Sequence, residues 1–149
     1  MSTHRGTILT IAVLVVLAVG LRWGPSAFAQ QQPRYPIDPQ TQRAIGAKQM
    51  PADELKRHLN AHNKILIVEV REPGKFSETL PGATNIPFDQ LEGRLKSMPK
   101  DTYLVLTCGT GRTSSQAAKL AEELGFRSTT FCPVHQWKEQ GYQAEPRGK

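Results

Sequence analysis

Between Tyr103 and Leu124 a short apolar run, a glycine-bracketed loop and an amphipathic stretch follow one another without a gap, so a strand must hand directly into a helix. The run from Tyr103 to Thr107 has the β-rich, apolar character of a strand covered on both faces. Beyond the loop, Ala117, Leu120, Ala121 and Leu124 recur at i, i+3, i+4 and i+7, the period of a helix with one buried face. Thr113 or Ser114 offers a hydroxyl to cap that helix. Cys108 stands at the junction, where free backbone amides and the positive end of the helix dipole converge. Thiols in such electropositive settings act as nucleophiles or as anion-cradled thiolates. Cysteine also fills core space inertly, but Gly109 and Gly111 argue against that reading, because they allow the loop to curl its amides inward.

The other end of the chain carries a different signal. His4 and Arg5 precede an almost unbroken apolar stretch from Ile8 to Leu21, and Ala27-Phe28-Ala29 supplies a small-x-small site before Gln30. That is the layout of a secretory signal peptide over residues 1–29. An apolar run of about fourteen residues is short for a bilayer, which needs about twenty, so cleavage is favoured over an uncleaved anchor. Only the anchor would bring the protein to a membrane. Either outcome places the remainder outside the cytoplasm, as a secreted or, with a bacterial signal, a periplasmic protein.

Removing the first 29 of 149 residues leaves 120, enough for one domain with a core. Of 19 Lys and Arg, Arg5 and Arg22 fall in the removed part, leaving 17 against 13 acids. This excess is spread thinly, which suits small anions and makes no case for nucleic acid. Residues 30–48 are rich in Gln, Pro and Arg and read as a flexible linker. From there, Met50 to Leu59 opens a helix with Pro51 at its start. Ile65–Val68 with Val70 forms a buried strand, and the turn-rich Leu80–Pro87 leaves room for a very short one. Asp89 and Glu92 resemble a capping pair for a helix whose apolar face is Phe88, Leu91, Leu95 and Met98. Gly125 ends the helix after Cys108, Arg127–Phe131 is another strand, and Val134, Trp137 and Tyr142 belong to a last short helix and tail. Strands alternating with helices imply an α/β domain with a mainly parallel sheet, in which ligands bind beyond the carboxyl ends of strands. Cys108 falls there.

Four passages in order resemble the landmarks of a single rhodanese domain: Val68-Glu69-Val70-Arg71-Glu72-Pro73, then Leu80–Pro87, then Cys108 in its glycine loop, then Trp137–Tyr142. The resemblance spans residues 49–145, with 146–149 as a tail. It implies a mainly parallel sheet of about five strands flanked by helices, and a cysteine that carries a sulfane sulfur as a persulfide. The implied reaction takes sulfur from a small anionic donor such as thiosulfate and gives it to a thiol or cyanide. No cofactor and no metal enter that chemistry. Cys108 would be the nucleophile, and Gly109, Thr110, Gly111, Arg112, Thr113 and Ser114 the anion cradle, with Arg112 its main charge. Arg71 could reach the donor, or hold its own loop by an ion pair.

The chain departs from the family pattern at several points. Thr113 stands where an arginine is usual, Cys132-Pro133 replaces a glycine pair, Glu69 an aspartate and Thr79 a histidine. These changes keep a second reading open, a non-catalytic module that binds a partner or an anion, or senses redox state through Cys108. Cys132 could pair with Cys108 in a reversible disulfide or fill buried space in place of glycine. His58 and His62 are spaced i, i+4 but lack a third ligand. His135 reads as a rim residue and Trp137 as core. A cysteine phosphatase is disfavoured, because Arg112 follows Cys108 too closely to wrap a phosphate.

Overall fold

The computed structural model describes residues 33–148, and the signal-peptide reading of residues 1–29 lies outside them. The described chain runs α1 (Ala52–Asn60), β1 (Leu66–Glu69), a 3-10 turn (Pro73–Lys75), β2 (Glu78–Thr79), β3 (Thr84–Asn85), α2 (Phe88–Lys96), β4 (Leu104–Thr107), α3 (Arg112–Glu123), β5 (Thr129–Phe131), α4 (Val134–Glu139) and β6 (Glu145–Pro146). Four strands form one parallel sheet in the order β3-β1-β4-β5. Where about five strands are expected, the sheet has four among the described residues, and Gln49 adds only a single parallel bridge to Phe131 before Pro51 caps α1. A separate antiparallel pair joins β2 to β6, with Glu78 opposite Pro146 and Thr79 opposite Glu145.

Strand alternation sorts the core into two layers. Val68, Leu104, Leu106 and Phe131 face one side and pack with Leu91 and Leu95 of α2 and Ala117, Leu120 and Ala121 of α3. Ile67, Val105 and Cys132 face the other and pack with Leu55 of α1 and Val134 and Trp137 of α4. All four residues of β4 are buried, as its unbroken apolar run requires. Trp137 completes its burial by donating its indole N–H to Gln143 O at 2.8 Å.

The linker expectation fails over residues 33–48. Tyr35 and Ala44 are buried, Ile37 bridges Ala44 across a tight reversal, and Lys48 O accepts from Phe131 N at 2.9 Å. Composition misleads here because two buried residues and a set of backbone hydrogen bonds are enough to dock a polar segment on an existing helix. The helix-capping expectations also fail. Gly111, at φ +100°, and Pro87 occupy the N-cap positions of α3 and α2, and neither helix has a side-chain cap. Glu92 pairs instead with Arg34 at 2.7 Å and Lys96 at 3.0 Å.

Candidate active site

The end of β4 and the start of α3 deliver Cys108 and its loop to the carboxyl edge of the sheet. The thiol is buried, 3% exposed. Its Sγ accepts from Gly111 N at 3.2 Å and from Ser114 N at 3.3 Å, and Ser114 Oγ lies 3.3 Å away. A thiol donates to that hydroxyl; a thiolate receives from it. Ser114 therefore serves the sulfur rather than capping the helix.

The loop can point its amides inward because its carbonyls are held elsewhere. Cys108 O accepts from Val134 N at 2.9 Å and Gly109 O from His135 N at 3.0 Å, so the first turn of α4 grips the loop from outside. Gly111 is required at its position. A Cβ there would lie 3.0 Å from Arg43 Nε and Pro133 Cγ and 3.1 Å from Phe131 Cε2, and its φ is positive.

Over Gly109 and Thr110 opens a cleft of about 490 Å³, lined also by Arg71, Glu78, Val134, His135, Lys138 and Glu139. Arg71 is its fixed cation. Arg71 donates to the fully buried Glu69 through Nε and Nη2, both at 2.8 Å, and to Glu78 O at 3.0 Å. Thr79 Oγ1 donates to the same carboxylate at 2.8 Å, so two of the departures from the family pattern, Glu69 and Thr79, belong to one network. Burial opposes the charge on Arg71, but its bonds to Glu69 and the nearby charge of Glu69 outweigh that cost, and Cys108 and Glu78 add to it; its pKa stands above the ordinary arginine value. The guanidinium also lies 4.7 Å from the Phe76 ring centre. Asn85 Nδ2 ties the strand end by donating to Glu69 O at 2.9 Å and Arg71 O at 2.8 Å. Lys138 pairs with Glu78 across the cleft.

The structure brings together most of the residues singled out from sequence. Gly111 and Ser114 touch the sulfur, and Gly109, Thr110 and Arg71 line the cleft. Thr113 turns to a separate depression beside Val70, Phe88 and Asp89. Arg112, expected as the main charge, is exposed and lines neither, because it is the first residue of α3 and projects outward. Arg71 holds that role.

Cys132 does not join Cys108. Both thiols are free and buried, and they belong to opposite core layers, because Cys132 follows Phe131 on β5 and alternation turns it to the α1/α4 side. Cys132 is a core residue, and that burial pushes its thiol up from 9.0 to about 12. Sequence reasoning missed Lys138, Glu78 and Arg43. An arginine inside a polar Pro/Gln segment carries no local sign of where that segment docks.

The comparisons agree with this geometry. The family model described as "Rhodanese-like domain" matches residues 51–133, more than half of the chain. A human thiosulfate:glutathione sulfurtransferase is 32% identical over 96 residues, covering 54% of this chain and 83% of that protein. A candidate sulfur carrier protein of Bacillus subtilis is 23% identical over 88 residues, and the match spans about half, 48%, of its length. A crystal structure of a rhodanese-related protein from Thermoplasma volcanium superposes with a TM-score of 0.57 at 22% identity, over 66% of this chain and 97% of that one. With a cysteine in an amide-lined loop at the sheet's carboxyl edge, and with the family model spanning strands β1 to β5, this chain belongs to the rhodanese-like domain family.

Proposed function

We propose that the protein is a sulfurtransferase in which Cys108 carries a sulfane sulfur as a persulfide. The supporting observation is the coordination of its sulfur: two backbone N–H groups and a hydroxyl at 3.2–3.3 Å, in a loop whose Gly109 and Thr110 line a cleft with Arg71. Donors aimed at a sulfur stabilise it as an anion and stabilise the persulfide that replaces it. In the first step the Cys108 thiolate attacks the outer sulfur of thiosulfate. An S–S bond forms to Cys108, the S–S bond inside the donor breaks, and sulfite leaves with its electron pair past Arg71. In the second, a thiolate acceptor attacks the outer sulfur of the persulfide and leaves with it, and Cys108 recovers its electron pair as thiolate. No net redox change occurs at the protein. We place this activity outside the cytoplasm, on the strength of the signal-like residues 1–29.

Cys108→Ser tests the reading. Oxygen replaces sulfur at nearly the same volume, so thermal stability should change little. Incubation with thiosulfate should add one sulfur atom to the wild-type mass and none to the variant's, and turnover with a thiol acceptor should vanish. A variant that keeps most of its turnover would exclude Cys108 as the carrier.

A further inference from the structure

We propose that Arg43, carried on the N-terminal strap 33–50, is a positioning residue for the cysteine loop, acting through the one peptide unit that joins Thr110 to Gly111. The inference rests on the reactive-thiol reading of Cys108 and adds to the site a residue outside the matched family region, which begins at residue 51.

The strap is fastened along α3. Tyr35 N donates to Gln116 Oε1 at 2.7 Å while Gln116 Nε2 donates to Tyr35 O at 2.9 Å. Tyr35 OH donates to Glu123 Oε2 at 2.6 Å, and Ala44 N donates to Ser115 Oγ at 2.8 Å. These bonds set Arg43 beside the loop. Its guanidinium lies 5.7 Å from the Phe131 ring centre, within cation–π reach, and occupies the space a side chain at Gly111 would need. Its Nη1 donates to Gln49 Oε1, and Gln49 Nε2 donates to Gln136 Oε1 of α4 at 2.8 Å. Its Nη2 donates to Thr110 O at 3.4 Å, and its Nε is buried with no partner among the described residues.

The bond to Thr110 O is the decisive one. That carbonyl and the Gly111 N–H belong to a single planar trans peptide, so they point in opposite directions. Holding the oxygen outward aims the N–H inward, where it meets Cys108 Sγ at 3.2 Å. A cation on the oxygen also polarises the peptide and strengthens its N–H as a donor to an anionic sulfur. The α4 amides hold the carbonyls of Cys108 and Gly109, and Arg43 holds the next, that of Thr110, beside a Gly111 at φ +100°. Arg43 thus acts on the sulfur through the backbone without touching substrate.

The experiment compares the full-length protein with Arg43→Ala, Arg43→Lys and Tyr35→Phe. Tyr35→Phe loosens the far end of the strap and leaves the loop alone. The readouts are the rate at which iodoacetamide alkylates Cys108 at fixed pH, kcat and KM with thiosulfate and a thiol acceptor, and the melting temperature. Arg43→Ala should slow alkylation about tenfold and lower kcat by a similar factor, with KM changed less than about twofold. Arg43→Lys keeps a single charged donor and should recover part of the loss; it carries the test if the alanine variant does not fold. Tyr35→Phe should alkylate as the wild type does. The direction separates this role from plain support, because a strap merely released from the cysteine loop at Arg43 would expose the buried thiol there and speed its alkylation. Unchanged or faster alkylation in Arg43→Ala overturns the proposal, as does equal slowing in Tyr35→Phe. Slowed alkylation in a protein that transfers no sulfur upholds the positioning role and removes the sulfurtransferase reading.

Discussion

At the scale of single residues, the two cysteines show how neighbouring sites acquire opposite chemistry. Cys132 N donates to Leu106 O at 3.0 Å, so its backbone lies close to β4, yet its side chain is sealed in the α1/α4 layer. Cys108 meets oriented donors; Cys132 meets hydrocarbon. Native protein treated with iodoacetamide should therefore be labelled once, at Cys108, and twice only in denaturant. The raised Cys132 pKa also predicts a pH effect on stability. Its folded value, about 12, exceeds its ordinary value of 9.0. Its contribution is thus fully present below pH 9 and is lost as pH rises from 9.0 toward about 12, while the unfolded chain releases the proton first. Across that window the slope reaches up to about 1.4 kcal/mol per pH unit. Urea titrations on either side of pH 9 should show the wild type losing more stability than Cys132→Ala. Parallel losses would mean the thiol ionises as readily folded as unfolded.

At the scale of elements, α3 is the hub of the site. Its first turn supplies Ser114 to the sulfur, its inner face supplies Ala117, Leu120 and Ala121 to the core, and its outer side carries the strap. Gln116 is 5% exposed and spends its whole amide on Tyr35. Gln116→Leu should cost about 1–3 kcal/mol, because it leaves the Tyr35 N–H and C=O without partners at a buried junction. Hydrogen exchange gives the sharper check. The amides of Tyr35 and Ala44 should exchange faster in the variant, while those of β4 keep their protection. Equal loss at both would show that strap and sheet open as one unit. The β2–β6 pair bears on the site through Glu78, whose carbonyl holds Arg71 and whose carboxylate holds Lys138.

At the scale of the whole molecule, residues 1–29 carry the basic, apolar and small-residue layout of a secretory signal. Expression of the full chain in a bacterial host should yield a periplasmic product that begins at Gln30, read by N-terminal sequencing of the fractionated protein. An intact Met1 in the membrane fraction would identify the segment as an anchor. Gln30 precedes the strap by only a few residues, so a cut there would leave Tyr35, Arg43 and Gln49 in the mature protein.

The strand–loop–helix unit around Cys108, the α/β class and the place of Cys108 at the carboxyl edge of the sheet were legible in the sequence, because each depends on contacts near in the chain. An apolar run, a helical period and two glycines specify local geometry wherever they occur. What only the tertiary structure decided depends on contacts far apart in sequence. Arg71 displaces Arg112 as the cation of the cleft because Glu69 and Thr79 hold it there, whereas the first residue of α3 projects into solvent. The strap has the composition of a linker because its stability lies in partners on α3, in bonds between residues 81 apart for Tyr35 and Gln116 and 71 apart for Ala44 and Ser115. The pairing of Cys132 with Cys108 failed on one residue of strand register, since alternation sends adjacent side chains to opposite faces. Local pattern determines where a thiol and its amides meet. The charges around them depend on which distant segments the fold presses against that loop.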